Sequence, residues 1–179
     1  LDVAAAHAFE RRFYSRWRRT ADVVDEAPDQ HGSRLHGQHI ALESRGTTGA
    51  TVLLPGSGGL SVYMLQIAKA LGIRAITISS SDEKLERLAA LGADHVINYR
   101  ANPEWGAKVR ALTGGIGADL VLDIGGQSTI AQSVAASRMA GQIMVVGSTS
   151  NAAPVLPLRD VVMHHIRITG MAVGNVAQL

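Results

Sequence analysis

The segment GSGGLS, residues 56–61, has the residue types of a turn that binds an anionic ligand. Gly56 suits the tight turn by which a chain leaves a strand, and Gly58 lets the backbone approach a pyrophosphate without a Cβ in the way. A helix that begins here would direct free N–H groups and about half a positive charge at that anion. Ser61 replaces the third glycine of the usual fingerprint, but serine is small enough for close helix-to-strand packing. A glycine turn without a ligand is the alternative, and the position between a strand and a helix favours binding.

A run of serines follows the next apolar segment, at residues 79–81. In NAD-selective proteins an acidic residue at the position of Ser79 holds the ribose 2′-hydroxyl, and its charge would repel a 2′-phosphate. Ser79 and Ser80 remove that repulsion and offer hydroxyl donors. Asp82 and Glu83 are nearby acids that could still favour NAD. The sequence therefore favours NADP(H) and leaves NAD(H) as the alternative.

The histidines do not form a convincing metal site. His31, His36 and His39 lie among Gly, Ser and Gln with no rigid element nearby, which favours a solvated loop over a metal centre. His164 and His165 precede the last apolar segment and suit polar helix-end residues better than catalysts. The chain has no cysteine, so neither a disulfide nor a thiolate zinc site can form, and no zinc is expected.

The elements that must position these residues alternate between strand and helix patterns from Thr51 onward. The predicted strands are Thr51–Leu54, Ala75–Ile78, His95–Asn98, Leu120–Ile124, Ile143–Val146 and Ile166–Met171. The predicted helices are Ser61–Leu71, a helix capped by Ser80 and Glu83 that ends at Leu91, one from Asn102 to Thr113 with Pro103 in its first turn, Thr129–Arg138, and 158–165. Apolar strands that alternate with helices predict an α/β fold, a doubly wound parallel (Rossmann) sheet of about six strands.

Composition limits the alternatives. With 179 residues the chain can form one full domain and an appendage, and with 46% hydrophobic but 4% aromatic residues its core must consist mainly of aliphatic side chains. A net charge of +2 gives no case for nucleic acid binding. No apolar run approaches the roughly 20 residues of a membrane helix, and the first residues lack a signal-peptide pattern. We therefore predict a cytoplasmic protein.

The chain divides near Thr47 into an N-terminal extension, residues 1–46, and a dinucleotide-binding domain, residues 47–179. Phe9, Phe13 and Trp17 fall at helical spacing, so residues 4–19 could form an amphipathic helix. A surface helix that docks on the main domain is favoured. A disordered extension and a helix that binds a membrane or a partner are the alternatives.

Several motifs together resemble one known family. They are GSGGLS, QIAKALG, SSSDEKLERLAALGADHVINYR, LTGGIGADLVLDIGG, GQIMVVGS and IRITGMAVGN, in this order. In sequence and spacing they are similar to the cofactor domain of the medium-chain dehydrogenase/reductase family, which includes zinc-type alcohol dehydrogenases and quinone oxidoreductases. That family inserts this domain into a barrel-like catalytic domain, and no segment of this chain resembles the catalytic domain.

The resemblance implies a set of cofactor-binding residues. Lys84 and Tyr99, with Arg100 beside it, match positions that face the 2′-phosphate in NADP-using quinone oxidoreductases; a solvated lysine and a packing tyrosine are the alternatives. Val176 departs from the arginine that often stands at its position. The full candidate set is Gly56, Ser57, Gly58, Gly59, Leu60, Ser79, Ser80, Lys84, Tyr99, Ile124, Gly125, Val146, Gly147, Ser148, Ala172 and Val173.

Two functions follow from the resemblance. The first is an NADP(H)-dependent oxidoreductase that transfers a hydride between the nicotinamide and an alcohol, carbonyl or quinone-like substrate, with no acid or base that can be named in this chain. The second is a dinucleotide-binding or assembly module without catalysis. The resemblance also implies a homodimer formed through the edge strand Ile166–Met171.

Overall fold

The computed structural model describes residues 49–148 and 155–171 of the chain, and these residues lie in one compact unit. Its strands are β1 (Thr51–Pro55), β2 (Arg74–Ser79), β3 (His95–Asn98), β4 (Ala118–Asp123), β5 (Ser137–Val145) and β6 (Arg167–Gly170). Its helices are α1 (Gly59–Ala70), α2 (Asp82–Ala90), α3 (Trp105–Leu112), α4 (Ile130–Ala136) and α5 (Leu158–Met163), with a short 3-10 turn at Gly126–Ser128. The predicted extension, including the helix over residues 4–19 and the three histidines, lies outside the described residues.

The strands form one parallel sheet in the order β3-β2-β1-β4-β5-β6. β1 lies in the middle, and Leu53 pairs with Ile76 of β2 on one side and Val121 of β4 on the other. Since the chain extends from β1 first to one side and then to the other, the strand order reverses between β1 and β4. The predicted doubly wound parallel sheet of about six strands is confirmed.

The aliphatic composition explains how this sheet is buried. Leu53 and Leu54 point to opposite faces of β1, and both are fully buried, so helices cover the sheet on both sides. On one face, Leu53 belongs to a cluster that includes Trp105 and Val109 of α3 and Val134 of α4. The central strands are therefore buried on both faces, and their pairing in one sheet brings their carboxyl ends to the same edge.

The start of two helices differs from the prediction. α2 is capped by Ser81, whose hydroxyl accepts a hydrogen bond from the Lys84 N–H at 3.4 Å, so the predicted capping box of Ser80 and Glu83 was wrong by one residue. α3 begins at Trp105 instead of Asn102. The reason is that both the backbone N–H and the side-chain amide of Asn102 donate to the Asn98 carbonyl, at 2.9 and 3.0 Å, which holds this segment in a turn.

The junction of α4 and β5 also differs. The predicted helix end at Arg138 and strand start at Ile143 were wrong, because α4 ends at Ala136 and β5 already begins at Ser137. Ser137 pairs with Ala118 of β4, and the Arg138 Nε donates to the Asp119 carboxylate at 2.5 Å. These two contacts hold residues 137 and 138 in the sheet. The opposite ends of β4 and β5 stop one residue earlier than predicted, so Ile124 and Val146 lie just beyond their strands.

β6 forms one edge of the sheet, and all four of its residues are exposed. It is shorter at each end than the predicted strand Ile166–Met171, and α5 likewise ends before residue 165. Among the described residues, no helix is both long and apolar enough to cross a membrane.

Candidate functional site

The glycine turn leaves β1 at the switch point of the sheet. Gly56 has a φ of +117°, a left-handed conformation that favours glycine, and its N–H donates to the Ile78 carbonyl of β2 at 2.8 Å. This bond ties the turn to the end of the neighbouring strand. The tight turn that the sequence predicts at Gly56 is therefore present, and it depends on the positive φ of this glycine and on its bond to Ile78.

The next two glycines face open space. A Cβ added at Gly58 or Gly59 would meet no heavy atom within 4 Å. Gly58 is the N-cap of α1, no side chain caps this helix end, and its first turn contains no acidic residue. The start of this 12-residue helix thus has no side-chain cap, and the described part of the chain leaves space beside its two glycines, which fits a pyrophosphate.

Ser61 fills the contact between α1 and β1. It is fully buried, and its Oγ lies 3.5 Å from the position that a Cβ on Gly56 would occupy. Among the described residues its Oγ has no hydrogen-bond partner. Serine therefore acts at this position as a small packing residue, as the sequence predicts.

Ser79, at the end of β2, connects this strand to the glycine turn. Ser79 is 3% exposed, and its Oγ donates to the Ser57 Oγ at 3.1 Å, which joins the glycine turn to β2. The same Oγ accepts a long bond of 3.5 Å from the Ser81 N–H. No carboxylate occupies this position, which is where an acidic residue would select NAD.

The residues beyond Ser79 lie at the same edge of the sheet. The Tyr99 N–H donates to the Ser79 carbonyl at 3.1 Å, and the tyrosine is 45% exposed. Lys84 is exposed in the first turn of α2, and Ser80 is half-buried between the two elements. β2, α2 and β3 therefore bring Ser79, Ser80, Lys84 and Tyr99 to one rim of the sheet.

Both acids near this rim have partners within the protein. The Asp82 carboxylate accepts a bond from the Asn98 side-chain amide at 2.6 Å. The Glu83 carboxylate pairs with the Arg87 guanidinium one helical turn later, also at 2.6 Å. These contacts direct the two carboxylates to neighbouring side chains, although both residues remain exposed.

A buried carboxylate shapes the loop after β4. Asp123 is fully buried and accepts three hydrogen bonds, from the Gly126 N–H at 2.8 Å and from the Thr129 and Ser133 hydroxyls at 2.6 Å each. The loop passes so close to Thr129 that a Cβ on Gly125 would lie 2.6 Å from the Thr129 methyl carbon. Asp123 thus fixes the path of residues 124–129.

The loops after β4 and β5 pack against each other to form one ledge. A Cβ on Gly147 would lie 2.7 Å from the Ile124 carbonyl oxygen, and the Val146 N–H donates to the Asp123 carbonyl at 2.9 Å. The Ser148 hydroxyl bonds the Gln127 side chain across the two loops. The predicted residues Ile124, Gly125, Val146, Gly147 and Ser148 all belong to this ledge.

Two of the predicted site residues cannot be placed, and two residues that shape the site were not predicted. Ala172 and Val173 lie outside the described residues. Asp123 and Asn98 were not among the predicted site residues; an acid at the carboxyl end of a buried strand, followed by hydroxyl residues within ten positions, is the signal that could have found Asp123. Within residues 49–148 and 155–171, no group of three or more His, Asp or Glu could hold a metal.

The reversal of strand order at an open glycine turn, with fixed loops on either side, defines the class as a Rossmann-type dinucleotide-binding domain. The family model described as zinc-binding dehydrogenase matches residues 59–179. The chain therefore belongs to the zinc-binding dehydrogenase family, of which the zinc-type alcohol dehydrogenases and quinone oxidoreductases are members, and the predicted recognition is confirmed.

Particular relatives place the match in the same part of larger oxidoreductases. A zinc-type alcohol dehydrogenase-like protein of Schizosaccharomyces pombe is 36% identical over 133 residues, which is 72% of this chain and 38% of that protein. An alcohol dehydrogenase of Geobacillus stearothermophilus is 30% identical over 71% of this chain and 37% of its own length. A mycobacterial protein complexed with NADPH has a TM-score of 0.71 and 27% identity, and covers 81% of this chain and 45% of that one. A mycobacterial quinone oxidoreductase has a TM-score of 0.70 and 28% identity, and covers 78% of this chain and 44% of that one.

This chain spans less than half the length of the relatives it matches. What it shares with them is the nucleotide-binding domain of an oxidoreductase.

Proposed function

We propose that this chain is the NADP(H)-binding domain of an oxidoreductase that transfers a hydride between the nicotinamide and an alcohol, carbonyl or quinone-like substrate. The observation that carries the cofactor preference is the end of β2. Ser79 stands there with its hydroxyl bonded to Ser57, and the two nearest acids, Asp82 and Glu83, are bonded to other side chains. A 2′-phosphate would therefore meet no carboxylate at the end of β2, and it would have the Ser80 hydroxyl and Lys84 beside it.

The proposed binding roles follow the strand order. The pyrophosphate would lie over Gly58 and Gly59, against the uncapped N–H groups of α1. Ser79, Ser80, Lys84 and Tyr99 would surround the ribose 2′-phosphate. The ledge after β4 and β5, together with Ala172 and Val173, would hold the nicotinamide half, because a dinucleotide crosses the switch point from one half of the sheet to the other.

The cofactor supplies the hydride chemistry when bound, and the chain's own residues bind and orient it. The relatives that match include proteins named as alcohol dehydrogenases, a 2-haloacrylate reductase and crotonyl-CoA reductases, and these names support an alcohol or an activated carbonyl compound as the substrate class. Among the described residues we assign no acid or base.

A module that binds NADPH tightly but turns over no aldehyde, ketone or quinone is the alternative function, and a steady-state NADPH oxidation assay distinguishes the enzyme from the module. The cytoplasmic location stays a prediction from the sequence.

The variant Ser79→Asp tests the cofactor preference. A carboxylate at this position would repel the 2′-phosphate, so we expect the Kd for NADPH to rise at least tenfold while the Kd for NADH stays the same or falls. The matched control is Ser79→Ala, which removes the hydroxyl bonded to Ser57 without adding charge. Equal weakening of both cofactors by Ser79→Asp in a fluorescence titration would contradict the proposal.

We also propose that β6 pairs with β6 of a second copy. Its four residues are exposed, and among the described strands only β5 pairs with it, along one of its two hydrogen-bonding edges. An exposed strand edge with Ile168 at 37% exposure is suited to forming a continuous sheet across a two-fold axis. Light scattering should give the mass of a dimer, and a monomer at all concentrations tested would contradict this.

A further inference from the structure

Asn98, the last residue of β3, links three parts of the rim near Ser79. Its side-chain amide donates to the Asp82 carboxylate at 2.6 Å, and its side-chain oxygen accepts from the Arg100 N–H at 3.0 Å. Its backbone is paired in register with Ser79 of β2. One side chain therefore connects the start of α2 to the turn that carries Tyr99 and Arg100.

The contact with Asp82 has an electrostatic consequence for this rim. Asp82 is exposed in the first turn of α2, two residues before Lys84. Without the amide of Asn98 its carboxylate would lose a donor that offsets its charge and fixes its rotamer, so the potential beside Lys84 would become more negative. A carboxylate near a phosphate lowers the affinity for that phosphate, whereas a 2′-hydroxyl could donate to it.

We propose that Asn98 is a specificity-determining positioning residue, which restrains the Asp82 carboxylate so that the rim accepts a 2′-phosphate. The proposal rests on the NADP(H) preference proposed above. Asn98 acts through its neighbours, since its amide is bonded to Asp82 and its side-chain oxygen to the Arg100 N–H.

The experiment measures Kd values for NADPH and NADH by fluorescence titration of the 179-residue chain and its variants. Asn98→Ala should weaken NADPH about 5- to 10-fold and change NADH less than about 2-fold. Asn102→Ala is the matched control, because its amide bonds the same turn at the Asn98 carbonyl but contacts no acid; it should leave the ratio of the two Kd values unchanged.

The double variant Asn98→Ala/Asp82→Ala isolates the restraint on the carboxylate. Removal of Asp82 should return most of the NADPH affinity lost in Asn98→Ala, which a merely structural role for Asn98 would not produce. Should Asn98→Ala fail to fold, Asn98→Asp keeps an acceptor for the Arg100 N–H and places a second carboxylate opposite Asp82; it should lower the preference for NADPH still further.

The inference would be overturned by equal weakening of NADPH and NADH in Asn98→Ala, by the same change of ratio in Asn102→Ala, or by no recovery in the double variant. A wild-type chain that binds NADH more tightly than NADPH contradicts the proposed function instead. A wild-type preference for NADPH that both Asn98 variants leave unchanged contradicts only the role of Asn98.

Discussion

Ser57 of the glycine turn and Ser79 at the end of β2 are hydrogen-bonded to each other, and Ser79 occupies the position where an acidic residue would select NAD. The hydrogen bond from Ser79 to Ser57 links the proposed pyrophosphate site to the proposed 2′-phosphate site. The sequence alone predicted that Ser79 offers a hydroxyl, but not that this hydroxyl is buried and already donates to another serine. That difference arises because burial depends on the packing of β1 and β2 against each other, which residue type does not encode.

Gly58 is a residue whose substitution should weaken cofactor binding but leave the stability of the fold nearly unchanged. Its φ is −81°, and a Cβ there would meet no protein atom within 4 Å, so Gly58→Ala should change the free energy of unfolding by less than about 0.5 kcal/mol. The added methyl group would instead occupy the space over the start of α1, and the Kd values for NADPH and NADH should both rise about tenfold.

Thermal unfolding and titration of Gly58→Ala check this, with Gly56→Ala as the contrast. Gly56 has a φ of +117°, so alanine there should destabilise the fold itself by about 1 kcal/mol or more. Unchanged cofactor binding in a folded Gly58→Ala variant would show that the open space is not the pyrophosphate site.

At the scale of elements, the position of each strand could be predicted from the sequence more reliably than its ends. Apolar runs identify the central strands because both faces of the sheet are covered there, whereas the edge strands β3 and β6 are mostly exposed and follow from the alternation of strands with helices. The β5 boundary depends on a contact between distant residues, Arg138 with Asp119, and the start of α3 depends on the bonds from Asn102 to the Asn98 carbonyl. The cap of α2 was missed for a different reason: three consecutive serines offer the same local signal, and the hydrogen bond to Lys84 N–H selects Ser81.

The loop between α2 and β3 depends on one ion pair whose effect varies with pH. Burial raises the pKa of the Asp94 carboxyl, but its bonds to the Lys69 ammonium and the Ala75 N–H more than offset this and hold the pKa below its usual 3.8. A lowered pKa in the folded state adds stability above the unfolded pKa, and this contribution is lost as the pH falls through the folded value.

We therefore expect Asp94→Asn to lower the free energy of unfolding by about 1 kcal/mol at pH 7. The difference from wild type should shrink below pH 4 and vanish once Asp94 is protonated in the folded protein. Urea unfolding at pH 7, 4 and 3 measures this, with the exposed Glu86→Gln as the control. A difference that stays constant across this range would contradict the assigned role of Asp94.

At the scale of the whole molecule, the chain contains the nucleotide-binding domain of its family but spans less than half the length of its relatives. The family could be predicted from the order of its motifs, since these motifs encode the glycine turn and the strand ends that the fold brings together. The substrate could not be predicted in the same way, because no described residue is assigned to contact it.

The proposed function depends most on which dinucleotide the wild-type chain binds. Titration of the 179-residue chain with NADPH and NADH at one ionic strength, followed by cofactor fluorescence, compares the two Kd values directly. We predict tighter binding of NADPH, by about tenfold, because hydroxyls and Lys84 replace the carboxylate that would repel its 2′-phosphate. Tighter binding of NADH, or no binding of either dinucleotide, would contradict the account.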